Sequence, residues 1–119
     1  MHALNSLDRV FHERGRLAIC TALVGAADGL SFTQLQDACD LTDGNLNRHL
    51  HALAEEGIVE TERRTGIGRP QTIVRITPAG RTRFLDYIDA LEAIVRDVQR
   101  STKENESPIR TMPARSTSQ

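Results

Sequence analysis

Leu41–Gly57, LTDGNLNRHLHALAEEG, has the residue spacing of a capped amphipathic helix. Thr42 stands at the N-cap, where a side-chain oxygen accepts from the free amides of the first turn. Asp43 adds negative charge beside the positive end of the helix dipole, and Gly57 is placed for a left-handed stop. Leu46, Leu50 and Leu53 recur at i, i+4 and i+7 and make one apolar stripe. At about 100° per residue, Gly44, Arg48, His51 and Glu55 point away from it, with Asn45, Asn47 and Ala52 on the flanks. A face made only for solubility would use Lys, Glu and Gln, the strong helix formers. Two asparagines, an arginine and a histidine carry directed hydrogen-bonding groups instead. In a major groove Asn matches adenine and Arg matches guanine.

What precedes this helix supports that use. Ser31-Phe32-Thr33-Gln34 fits a capping box, a Ser N-cap answered three residues on by Gln. It predicts a two-turn helix from Phe32 to Cys39 with Phe32, Leu35 and either Cys39 or Ala38 inward. Asp40-Leu41 then leads tightly into Thr42. A short helix, a brief turn and a second capped helix are the parts of a helix-turn-helix. Further upstream, residues 4–12 are expected to form a helical lead-in with Leu4, Leu7, Val10 and Phe11 as its contacts. Arg14-Gly15 is read as a turn, followed by a helix from Arg16 to Ala27 with Leu17, Cys20, Leu23 and Val24 inward. Asp28-Gly29 ends it, and Leu30 packs back on the core.

Beyond Gly57 the period changes. Ile58–Thr65 and Gln71–Thr77 have strand character, joined by Gly66-Ile67-Gly68-Arg69-Pro70, a turn rich in Gly and Pro. This predicts a β-hairpin with a basic tip, Arg63, Arg64 and Arg69. Alone it could be a solvated hairpin; beside a helix-turn-helix its tip lies where DNA phosphates would pass. Thr77-Pro78 starts a last helix over about 78–100, with Thr at the N-cap and Pro at the first position. Gly80 weakens its first turn unless backbone packs closely there. Phe84, Ile88, Leu91, Val95 and Val98 follow with 4-3-4-3 spacing, a heptad seam. That strip exceeds what one chain can cover, so a second copy is expected on it. Residues 101–119 lose the apolar period and are rich in Ser, Thr and Pro, which predicts a disordered tail.

Composition narrows the function classes. The 119 residues hold 3% aromatics and no Trp, so the core must come from Leu, Ile, Val and Ala. A net charge of −1 argues against an indiscriminate nucleic-acid binder. Between Arg63 and Arg83, however, there are six Arg and no acidic residue, the footprint of a local basic face. No apolar run reaches the ~20 residues of a bilayer span and no secretion signal opens the chain, so a soluble cytoplasmic protein is expected. Cys20 and Cys39 form no CxxC pair and read as buried, reduced thiols. His49 and His51 are two residues apart and diverge by about 200° on a helix, so they cannot share a metal. No metal site and no cofactor are expected. Without a nucleophile–base pair or a phosphate-cradling Gly loop, an enzyme is not expected either.

The order helix, short helix, polar-faced helix, basic hairpin, long helix resembles the winged helix-turn-helix regulators of the MarR and ArsR kind. The likeness covers residues 5–100 and is carried by RLAICTAL, SFTQLQDACDLTDGNLNRHLHALAEEGIVE and ITPAGR. It implies a mainly α fold with a small β-hairpin, a winged helix-turn-helix domain over residues 1–100 with a long C-terminal dimerisation helix. By that likeness Thr42, Asp43, Asn45, Asn47, Arg48 and His51 face the bases and nearby phosphates. Arg63, Arg64 and Arg69 grip the backbone from the wing. Metal-sensing ArsR relatives carry cysteines at the segment matched by LTDGNL, and this chain has none there. The expected function is a sequence-specific regulator that binds double-stranded DNA as a homodimer, with repression the default. The alternative is a winged-helix protein-interaction module that does not touch DNA. No residue pattern points to a small-molecule effector, and no membrane partner is expected.

Overall fold

The computed structural model describes residues 7–66 and 68–110, the last six of them as backbone alone. A 3-10 turn at Arg9–Phe11 precedes α1 (Arg14–Val24), β1 (Leu30–Ser31), α2 (Phe32–Cys39), α3 (Asp43–Glu55), β2 (Val59–Arg64), β3 (Gln71–Ile76) and α4 (Pro78–Arg110). The three strands form one antiparallel sheet in the order β1-β3-β2. The chain divides into two compact units, one of Asp8–Tyr87 and the other taking in Leu7 and the helix from Ile88 onward.

Within the first unit the helix-turn-helix forms where its caps dictate. Ser31 Oγ accepts from Gln34 N at 3.1 Å and Gln34 Oε1 accepts from Ser31 N at 2.9 Å, both arms of the capping box. Asp40 closes α2 in the left-handed conformation, φ 55°. Thr42 caps α3 by accepting from Asn45 N at 3.2 Å. At the other end Ile58 N donates to Leu53 O and Gly57 N to Ala54 O, with Gly57 at φ 73°. That pair of bonds is the Schellman closure, and it carries Leu53 and Ile58 together into the core, both fully buried. Leu35, Leu46, Ile19, Cys20, Leu23 and Val74 complete the aliphatic centre.

Four features differ from the sequence reading. First, α1 begins at Arg14 and ends at Val24, so Gly15 is helical and not a turn. It is buried, and only glycine fits, since a Cβ there would lie 2.4 Å from His49 Nε2. Secondly, Leu30–Ser31 adds a third strand, pairing with Val74 and Ile73; two residues are too short to show an alternating period. Thirdly, Cys20 is buried but Cys39 only partly so. Burial, with the neighbouring Cys39, pushes the Cys20 thiol up to about 12, and burial also raises Cys39. Leu4 of the lead-in lies outside the described residues.

The fourth difference is in α4. Thr77 Oγ1 accepts from Gly80 N at 2.9 Å, and Thr77 N donates to Ile58 O at 2.8 Å. Gly80 is required there, since a Cβ would stand 2.3 Å from the Ile58 carbonyl oxygen. The helix does not stop near residue 100 but continues to Arg110, 33 residues or about 50 Å. The disordered tail expected over 101–119 is therefore helical through 110, and residues 111–119 lie outside the described residues. Loss of apolar period removes packing partners, whereas each added residue still gains a backbone hydrogen bond. Phe84, expected on a dimer seam, is 3% exposed and packed edge-on against Phe11 at 5.2 Å, with Tyr87 beside both. The strip left uncovered starts later: Ile88 and Leu91 are partly buried, while Val95 and Val98 are 47% and 58% exposed. Among the described residues no helix is long and apolar enough to cross a membrane.

Candidate nucleic-acid interface

Because Leu46, Leu50 and Leu53 seat α3 on the core, its opposite side is left to solvent. Thr42, Asp43, Asn45, Asn47, Arg48 and His51 are all exposed. His49 is not: it stands with Leu46, Leu50 and Leu53 on the inner side, 3% exposed. The spacing 46-49-50-53 was the signal for that burial, masked by the polar residue type. The two histidines thus face opposite ways, and among the described residues no group of three or more metal-ligating side chains comes together.

Not every exposed group is equally free. The Asp43 carboxylate accepts from Gln36 Nε2, a bond from α2 to the first turn of α3 that holds the two helices of the motif in register. Thr42 is occupied as the cap. His51 Nε2 lies 3.5 Å from Glu55, one turn on and equally exposed. Arg48 Nη1 lies 3.8 Å from Glu13, the residue before α1. Among the described residues Asn45 and Asn47 have no side-chain hydrogen-bond partner, so their amides are available to a ligand.

The basic hairpin is narrower than its sequence. Alternation along β2 puts Glu60, Glu62 and Arg64 on one face, opposite Arg75, Ile73 and Gln71 of β3. Arg75 Nη1 donates to Glu62 Oε1 at 2.8 Å and Arg64 Nε lies 3.6 Å from Glu62, which holds that carboxyl below its usual range. Arg63 lies on the other face, in the row of the buried Val59 and opposite Thr72. Further on, Arg81 Nη1 donates to Val24 O at 3.1 Å at the end of α1. Arg83 binds Asp8 through two nitrogens, at 2.5 and 3.2 Å, and Glu56 at 2.9 Å. Its hydrogen bond keeps the Asp8 carboxyl below the ordinary value. The six arginines therefore do not make one basic face. Among these six, and within the described residues, Arg63, Arg69 and Arg81 have no carboxylate within ion-pair distance, and Arg81 is held by the Val24 carbonyl instead.

Sequence reasoning missed the anchor beneath Arg48. Glu13 Oε1 lies 3.3 Å from His49 Nε2, and Glu13 Oε2 lies 4.0 Å from Arg16. Burial lowers the His49 pKa against the opposing pull of Glu13. His49 Nε2 faces Glu13 within ion-pair distance, and the buried Nδ1 has no partner among the described residues. A carboxylate just before a helix whose own first residue was misread as a turn gave no sequence signal.

Residues 16–95 match the family model described as the winged helix DNA-binding domain, two thirds of the chain. The chain belongs to that family. In winged-helix terms α2 and α3 are the helix-turn-helix and β2–β3 is the wing. An uncharacterised protein of Methanocaldococcus jannaschii is 35% identical over 91 residues, 76% of this chain and 98% of that protein. The solved structure of the transcriptional regulator homologue protein from Pyrococcus horikoshii OT3 is 29% identical, covers 82% of this chain and 98% of its own, and superposes with a TM-score of 0.76. A MarR-family transcriptional regulator from Silicibacter pomeroyi is 20% identical, covers 99% of this chain and 84% of its own, and has a TM-score of 0.57; it shares the winged-helix fold. The fold expected from the sequence, winged helix-turn-helix with a long C-terminal helix, is the one found.

Proposed function

We propose that this winged-helix protein is a sequence-specific, double-stranded-DNA-binding transcriptional regulator, acting as a homodimer and as a repressor. The observation that carries the reading is the uncovered outer side of α3, where Asn45, Asn47 and Arg48 stand exposed above a buried leucine stripe. Asn45, Asn47 and Arg48 read base edges. Thr42, Asp43 and His51 border them: Asp43 and Thr42 set the helix start, and His51 reaches the flanking phosphates. In the wing Arg63 and Arg69 contact the backbone, and Arg64 does so only by leaving Glu62. Two copies join through Ile88, Leu91, Val95 and Val98, which presents two α3 helices to successive major grooves about 34–36 Å apart. A promoter so covered is closed to polymerase, which is the repressor reading. Such a protein works where the chromosome is, in the cytoplasm, and needs no cofactor for it.

A second reading, a protein-interaction module, draws on the pairing of Glu62 with Arg64 and Arg75, which leaves the wing few free cations. Salt separates the two. Selection of bound fragments from random duplex DNA, followed by titration of the selected duplex against KCl, should give a defined half-site spacing and a steep log–log loss of affinity. Negligible binding to any duplex at low salt would favour the interaction module.

A further inference from the structure

We propose that Glu13 is a specificity-determining residue of the DNA interface: its carboxylate is a built-in competitor that holds Arg48 back from non-cognate phosphates. The proposal rests on the DNA-binding reading above. Among the side chains of α3 assigned to bases, Arg48 alone carries a full positive charge. Its Nη1 stands 3.8 Å from Glu13 Oε2, at the rim of an open cleft lined by Arg14, Gly15, Asn45, Arg48 and His49.

The competitor is fixed independently of the arginine it holds. Glu13 is the N-cap of α1 in extended conformation and makes no side-chain capping bond. Its other oxygen lies 3.3 Å from His49 Nε2, and that ring is wedged where Gly15 leaves no room for a Cβ. Arg16 at 4.0 Å adds a second cation that stays when Arg48 departs. The carboxylate thus remains in place, and Arg48, 58% exposed beside open space, is the mobile partner. A phosphate gives Arg48 an anionic acceptor in exchange for the carboxylate it leaves, a trade of like for like. A guanine edge offers two directed acceptors within the negative field of the flanking phosphates, a gain that Glu13 at 3.8 Å does not match. Exchange is therefore close to neutral on random DNA and favourable at the cognate base. Of the other acids near this face, Asp43 is engaged by Gln36 and Glu55 by His51, while Asp40 lines the same cleft without an ion-pair partner among the described residues.

The test compares wild type, Glu13→Gln, Arg48→Ala and the double variant on the selected duplex and on random duplex of equal length, across KCl concentrations. Gln keeps an acceptor for His49 while removing the charge. Glu13→Gln should tighten random duplex by about two- to five-fold, in keeping with the modest strength of exposed pairs. It should steepen that salt slope by about 0.9, the signature of one added phosphate contact. The selected duplex should change less, so the specificity ratio falls. With Arg48→Ala already present, Glu13→Gln should have no effect. An equal tightening in that background would mean mere charge removal and would overturn the proposal, as would an unchanged specificity ratio. If Glu13→Gln does not fold, Arg48→Ala alone decides: it should weaken the selected duplex while leaving random duplex within twofold, and equal losses on both overturn the proposal. Wild type that binds neither duplex at low salt defeats the DNA-binding reading together with this one. Wild type that binds selectively, with variants that behave alike, defeats this one only.

Discussion

Two helices of this molecule carry apolar stripes of similar period and meet opposite fates. In α3, Leu46 and Leu53 are fully buried and Leu50 nearly so. In the distal part of α4, Val95 and Val98 are left 47% and 58% exposed. The α3 stripe is anchored at both ends: Thr42 and the Gln36–Asp43 contact hold its start, and the Gly57 closure delivers Ile58 to the core behind Leu53. Among the described residues no such closure holds the distal α4 stripe. An amphipathic pattern therefore states that an apolar face exists, and leaves open whether the same chain covers it.

Leu53→Ala tests the covered stripe and should have the largest effect. It should cost ~2–5 kcal/mol of unfolding free energy at any protein concentration, because the lost burial and the cavity are both intramolecular; urea denaturation at two concentrations checks this. Asn45→Ala tests the outer side of the same helix. We expect a loss of ~1–3 kcal/mol of discrimination at one base position with little change in stability, read by competition among single-base variants of the selected duplex. An unaltered preference would remove Asn45 from the base-reading set. Val95→Asp tests the uncovered stripe. The proposed homodimer should weaken at least tenfold, ~1.4 kcal/mol, by sedimentation, while the circular dichroism stays that of the wild type; a chain that is monomeric before the substitution would refute the role given to this strip.

Two smaller effects sharpen the contrast between engaged and free charges. Arg69→Ala should weaken all duplexes alike and lower the salt slope by about 1, whereas a sequence-dependent loss would place Arg69 at a base. Acid should destabilise the fold in two steps. Burial depresses the His49 pKa from its ordinary 6.5, so its stabilising contribution is present above that value and is lost as pH falls through the lower folded value. The Arg83 hydrogen bond depresses Asp8 from 3.8, so its contribution is whole above 3.8 and is lost in stronger acid. Urea midpoints should fall below about pH 6.5 and again below about pH 3.8; if His49→Gln keeps the first step unchanged, the histidine is not its source.

Local chemistry made much of this readable. The caps at Ser31, Thr42 and Thr77 and the stop at Gly57 are set by bonds within a few residues, and the leucines of α3 by their spacing, so the chain alone specified the helix-turn-helix. Contacts between segments far apart in the chain were not readable that way. Gly15 looked like a turn because its partner, the His49 ring, lies 34 positions on. Arg83 and Arg75 looked like part of one basic surface because Asp8, Glu56 and Glu62 meet them only after folding. Phe84 looked like a seam residue until Phe11 and Tyr87 closed over it. Periodicity and capping depend on neighbours along the backbone and are written in residue order. The partner of a charge, or the cover of an apolar face, depends on what the completed packing brings within a few ångströms, and only the tertiary structure decided that.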